Sequence, residues 1–172
     1  VIQCDSKKVE LGIIVSKKAL RVLNFLEGCA GAPEPAISLI FPGCARFLRI
    51  LRGSGYARRC WTPGQDALWV PVQFPVPKNR EEYVARSALG WLAARLVEAG
   101  GRMDRGRAIF PNGKAYRVGI YPGAIHGKEL VLSLNGEFPD EKQDGCLYVN
   151  YQNLKERMLK ECLVTTLREK KK

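Results

Sequence analysis

The sequence predicts an α+β fold in two parts, and three observations carry that prediction. Residues 16 to 72 read as three short helices and then two strands. The passage "VPVQFPVPKN" (Val70 to Asn79) then places prolines at 71, 75 and 77, which disfavours helix and central strand alike. From Asn79 onward the pattern is a long helix, a strand meander and a closing helix, a small α/β unit. The boundaries that follow are residues 1–72, a linker at 73–78, and residues 79–172.

Each element has a local reason. In "SKKALRVLNFLEGC", Ser16 is an N-cap, Ala19, Leu20, Leu23 and Leu26 or Phe25 recur at helical spacing, and Gly28 ends the helix. A second helix covers Glu34 to Phe41, begun by a Pro-rich stretch and stopped by Pro42-Gly43. The third runs from Cys44 to about Arg52, with Phe47, Leu48 and Leu51 on one side, and Gly53-Ser54-Gly55 closes it. "YARRCWT" and "ALWVPV" read as strands joined across "PGQD".

In the second part, Asn79 and Glu82 have capping-box spacing, and Tyr83, Val84, Leu89, Leu92, Leu96 and Val97 form an apolar stripe ended by Gly100-Gly101. "RAIF", "AYRVGIY", "KELVLSLN" and "CLYV" read as strands. Asn112-Gly113, between the first two, is a hairpin signal. Leu154, Met158, Cys162 or Leu163, and Leu167 predict one closing helix.

Charge narrows the function. Among 172 residues, 28 are Lys or Arg and 17 are Asp or Glu, a net charge of +11. An excess of that size favours polyanionic partners. No stretch approaches the ~20 apolar residues of a membrane span, and the N-terminus lacks the apolar run of a signal peptide. The expectation is a cytoplasmic protein without membrane association. The six cysteines fall at no metal-clip spacing, which argues against a zinc site and predicts buried, reduced thiols with no disulfide.

Three helices followed by a two-stranded hairpin is the layout of a winged helix-turn-helix, whose third helix enters the major groove. Such a helix needs an apolar stripe for docking and a basic opposite face. Phe47, Leu48 and Leu51 leave Arg46 and Arg49 as outward neighbours, and arginine's planar fork suits guanine edges and phosphates. Arg58 and Arg59 begin the wing, where alternation sends one outward and one to the sheet's flank. Lys17 and Lys18 open the first helix, where they oppose its macrodipole unless something anionic meets them. Gln65, in the wing turn, completes the candidate DNA-binding set. The plainer alternative is a solvated face, with Arg52 and Arg58 paired to Asp66 or Glu34.

The run "ALRVLNFLEGC…AISLIFPGCARFLRILRGSGYARRCW" resembles the winged-helix half of replication-relaxation proteins of plasmids and conjugative elements. The matching features are a helix, a short second helix ending in "FP", and an R-x-L-x-x-L-x-x-x-G-Y core. The resemblance implies a second domain similar to PD-(D/E)xK nucleases over residues 79 to 168. The nuclease motif would fall at "FPNGKAYRVGIY", where Asn112 replaces the expected aspartate and Gly119 and Tyr121 occupy the strand positions. An amide is no substitute for a carboxylate on Mg²⁺. The resemblance therefore implies an inactive scaffold.

Other motifs carry less. Asp140, Glu141, Lys142 and Asp144 spell an acid-acid-lysine run, but in a loop. His126, the sole histidine, sits in a turn without a spaced nucleophile. "GCAGAP" lacks the ending of a phosphate loop. Trp61, Trp69 and Trp91 read as core or wing anchors. The expected function is duplex-DNA binding in replication, transfer or transcription control of a mobile element, with no cofactor, metal or catalysis. The second part would serve dimerisation, a protein partner or further DNA contact. The alternatives are a nuclease assembled from Asp104, Glu129 and Glu137, and a winged-helix adaptor that binds protein.

Overall fold

Ser16 starts the first helix as the sequence predicts: its Oγ accepts the Ala19 amide at 3.2 Å, and α1 spans Lys17–Cys29. The structure is a computed structural model and describes residues 1–165. α1 buries Ala19, Val22, Leu23, Leu26 and Cys29, whereas Leu20 lies on the solvent side. The helix does not end at Gly28. It continues to Cys29, and Ala30 takes the left-handed cap at φ 61°. Gly28 is small for a different reason, since a Cβ there would lie 2.5 Å from the Met103 carbonyl oxygen.

The first half adds β1 (Gln3–Cys4), β2 (Ala32–Pro33), α2 (Glu34–Ile40), α3 (Ala45–Gly53), β3 (Ala57–Trp61) and β4 (Leu68–Pro71). The strands form an antiparallel sheet in the order β1-β3-β4-β2. β1 and β2 have two residues each, too short to leave a period in the sequence. Their pairing also corrects the cysteine reading. Cys4 and Cys60 are directly opposed across β1 and β3 and joined as a disulfide, while Cys29, Cys44, Cys146 and Cys162 are free and buried.

α4 (Arg80–Glu98) lies at the centre. Asn79 Oδ1 accepts the Glu82 amide at 2.9 Å, but Glu82 reaches back to the Lys78 amide, one residue beyond a capping box. The helix touches α1, α2 and β2 as well as β5 (Arg102–Asp104), β6 (Arg107–Ile109), α5 (Tyr151–Glu156) and α6 (Leu159–Cys162). One hydrophobic cluster therefore runs from Leu26, Leu48 and Leu51 through Leu92 and Leu96 to Leu130, Val149 and Leu154. Residues 73–78 cross between β4 and α4 outside helix and strand.

The second sheet adds β7 (Ala115–Tyr121), β8 (Leu130–Ser133), β9 (Leu147–Asn150) and β10 (Val164–Thr165), in the order β10-β9-β8-β7-β6-β5. Only β5, β6 and β7 form a meander; β7, β8 and β9 run parallel, which corrects the strand meander expected throughout. The segments 122–129 and 134–146 loop back instead of making hairpins. All four residues of β8 are buried, as suits a central parallel strand covered on both faces.

Two further corrections concern the same half. β5 carries no turn signal in the sequence, because its hairpin turns on Arg105 and Gly106, both at positive φ, and Asp-Arg-Gly-Arg is not a recognisable turn sequence. The single closing helix is broken into α5 and α6, because Arg157 and Met158 are extended. Tyr151, Leu154, Leu159 and Cys162 are the buried positions, and the step of five between Leu154 and Leu159 does not fit one helical face. Met158, expected inside, is exposed, and Leu167 lies outside the described residues.

Candidate functional site

α3 has two chemically distinct sides. Leu48 and Leu51 are fully buried and Phe47 is half-buried, while Arg46, Arg49 and Arg52 are exposed at successive three-residue steps. Arg52 does not reach Asp66 or Glu34. It forms a 2.6 Å ion pair with Asp5, and Glu34 instead accepts the Trp69 indole N–H at 3.1 Å.

The N-terminal segment folds back over the end of α3. The Gly12 amide donates to Ser54 O at 2.8 Å, and the Tyr56 hydroxyl donates to Gly12 O at 2.9 Å. Asp5 fixes the segment further, because its second oxygen accepts the Arg59 amide at 2.8 Å. Between this segment and α3 lies a surface cleft of about 500 Å³, where Lys7, Lys8, Arg49, Arg52 and Arg58 surround the single acid Asp5. Lys8 Nζ also donates to Gly53 O at 2.6 Å, so one cation of the cleft serves the carbonyl end of α3.

The sign of charge changes along α3. Its first residue, Ala45, and the preceding Gly43 and Cys44 share a cleft of about 410 Å³ with Glu34 and Asp66. The positive surface therefore begins at Arg46 and strengthens toward Arg52 and the Lys7–Lys8 segment. Lys17 and Lys18 are exposed in the first turn of α1, where free amides and the helix dipole already favour an anion. The tie between Gly12 and Ser54 draws this end of α1 toward the end of α3.

The remaining predicted residues are placed differently. Arg58 Nη2 donates to Phe74 O at 2.7 Å, and its Nε is buried without a hydrogen-bond partner. Arg59 lies 5.4 Å over the Trp61 ring. Both are half-buried, because one face of the β3–β4 ladder packs on the helices and the other on Tyr83, Phe74 and Val76. Gln65 is half-buried in the hairpin turn, its amide donating to Thr62 O at 3.3 Å. The structure thus groups Arg49 and Arg58, with Arg46 one turn earlier on α3, together with Arg52 and with Lys7 and Lys8, two cations far from α3 in sequence. The adjacent Lys7-Lys8 pair was their only sequence signal.

The positions of the nuclease comparison also have structural explanations. Asn112 Oδ1 accepts the Lys114 amide at 3.0 Å in the β6–β7 turn, and Gly113, not Asn112, takes positive φ. Gly119 leaves room for Lys128, whose Cγ would lie 2.6 Å from a Cβ there. Tyr121 is half-buried at the end of β7. Asp104 faces Arg107 at 3.8 Å, Glu129 accepts from Arg117 at 3.1 Å, and Glu137 accepts from Asn135 at 3.2 Å. Hydrogen bonds from Arg117 hold the Glu129 carboxyl below its ordinary pKa. Among the described residues, no three His, Cys, Asp or Glu side chains group as a metal site. Asp140, Glu141 and Asp144 are exposed in a loop, and His126 is exposed. Trp69 and Trp91 are buried, and Trp61 is half-buried beneath Arg59.

Comparison with protein-family models, with curated proteins and with solved structures finds no match. The geometry carries the functional reading alone. No helix among the described residues is long and apolar enough to cross a membrane.

Proposed function

We propose that this chain is a duplex-DNA-binding protein whose first half is a winged helix-turn-helix. In this reading α1, α2 and α3 are the helical unit, α3 is the recognition helix, and the β3–β4 hairpin, extended by β2, is the wing. The observation that carries it is the two-sided α3: Leu48 and Leu51 are sealed inside while Arg46 and Arg49 stand exposed on the other side. Arg46 and Arg49 make base and phosphate contacts, and Lys7, Lys17 and Lys18 hold phosphates. Because Arg58 and Arg59 are engaged within the fold, the N-terminal segment supplies the flanking cations in place of the wing.

The protein acts by occupancy, without catalysis or cofactor, in replication, transfer or transcription control of a mobile element. Its second half provides a dimer or partner contact. Titration of labelled random duplex at several salt concentrations tests the reading. About four to six phosphate contacts around α3 by themselves make log K fall against log salt with a slope of roughly −4 to −5. Absence of salt-dependent binding to any duplex overturns it.

A protein-adaptor reading has one observation in its favour. Val9, Leu11, Ile13 and Val15 alternate along the N-terminal segment and are 100%, 49%, 89% and 90% exposed. Apolar side chains in a contiguous exposed row suit a protein contact. Stable capture of a protein partner, lost on changing Ile13 and Val15 to serine, together with failure to bind duplex, would favour it.

A further inference from the structure

The sheet formed by β5, β6 and β7 presents a second basic surface that the winged-helix reading does not use. In its register, Arg102 opposes Ile109, Asp104 opposes Arg107, and Arg107 opposes Arg117. Directly opposed residues share a face, so Arg102, Arg107 and Arg117 all project from the same side. Met103 and Ala108, on the other side, are buried and join the core cluster. Arg107 and Arg117 have side chains 51% and 62% exposed. Lys128 crosses the same face above Gly119.

Two features set this face apart from an ordinary solvated sheet. Like charges directly opposed across an antiparallel ladder repel, and such a pair weakens the sheet unless an anion covers it. Asp104 and Glu129 offset part of the charge, at 3.8 Å from Arg107 and 3.1 Å from Arg117, but Arg102 and Lys128 remain in excess. The face also continues toward the first site. Arg102 and Arg105 line a cleft of about 410 Å³ with Gln73, Phe74 and the acids Glu27 and Asp104, and the Phe74 carbonyl holds Arg58, which lines the cleft beside α3.

We propose that the open face of β5, β6 and β7 is a second binding surface for the phosphate backbone of duplex DNA, with Arg102, Arg107, Arg117 and Lys128 as its cations. This rests on the duplex-binding reading above and deepens it. The surface carries no base readout. It adds sequence-independent contacts, so its removal weakens binding uniformly across sequences and makes the salt dependence shallower.

The experiment compares three variants of the full chain with the parent on random-sequence duplex across a salt series. Arg107→Gln with Arg117→Gln removes two cations of this face. Arg46→Gln with Arg49→Gln removes two from α3. Arg157→Gln with Lys160→Gln removes two exposed charges from the α5–α6 side of the molecule. The proposal expects the first variant to lose about 1.8 from the magnitude of the log–log slope, at about 0.9 per phosphate contact. The control variant keeps the parent slope, and thermal unfolding confirms that all three are folded. A parent-like slope in Arg107→Gln/Arg117→Gln, with the α3 variant weakened, overturns this surface and leaves the winged-helix site standing. Equal losses in the first variant and the control also overturn it, as a generic charge effect. If the parent binds no duplex, the winged-helix reading falls and this surface falls with it.

Discussion

Gly90 of α4 lies so close to Ala32 of β2 that a Cβ on the glycine would sit 2.5 Å from the Ala32 Cα and 2.8 Å from the Pro33 Cδ. A helix from the second half thus rests on an edge strand of the first, with no room for a methyl group. Backbone lies on one side of this contact, so relief requires α4 or β2 to move.

Gly90→Ala is therefore expected to destabilise the protein by about 1–3 kcal/mol, the cost of overpacking, despite alanine's better helix propensity. Urea denaturation followed by tryptophan fluorescence measures it. Because the hydrophobic cluster is shared across α4, fluorescence and far-ultraviolet circular dichroism should report one coincident transition.

Arg46→Ala with Arg49→Ala should weaken duplex binding and leave folding nearly unchanged. Both side chains are exposed, so stability shifts by no more than about 0.5 kcal/mol each. A bidentate base contact is worth about 1–3 kcal/mol. Parent-level affinity for every duplex tested would remove α3 from the site.

Asp5 organises the basic cleft through two bonds, one to Arg52 and one to the Arg59 amide. Asp5→Ala should cost about 1–2 kcal/mol, chiefly through the charged bond to the backbone. Arg52→Gln should cost less, because it removes only a half-exposed ion pair. Chemical denaturation of the two variants gives the order, and the reverse order would place the fixing contact on Arg52.

Alkaline pH should destabilise the fold. Burial pushes the Cys29 thiol from 9.0 up to about 12 and the Tyr151 hydroxyl from 10.0 up to about 12. Above pH 9 the unfolded chain releases these protons before the folded one does, so the folded state binds more protons and stability falls as pH rises. The contribution is fully present below about pH 9 and is lost progressively toward pH 12. Unfolding midpoints measured from pH 8 to 11 should decline, and Cys29 should resist alkylation at pH 8 until the chain unfolds. A flat profile would contradict the burial of both groups.

The sequence by itself determined the elements whose signals are local. Ser16 and Asn79 cap their helices, the spacing of Leu48 and Leu51 sets the buried side of α3, and Asn112-Gly113 closes a two-strand turn. These follow from hydrogen bonds and periodicity within a few residues. By the same logic, Arg46 and Arg49 were legible as exposed cations, since whatever lies off the apolar stripe faces solvent.

Tertiary structure decided what depends on distant partners. Gly28 looked like a helix stop but is a close approach to Met103, and the parallel pairing of β7, β8 and β9 depends on how two loops return. Arg58 was tied to the Phe74 carbonyl and half-buried at the edge of the cleft, and Lys7 and Lys8 were brought to α3 by the Gly12–Ser54 bond and the Asp5 contacts. Cys4 met Cys60 only because β1 paired with β3 across 56 residues of sequence. A charge or thiol carries no record in its neighbours of where the fold will take it, so a surface assembled from separate segments forms only when the chain closes.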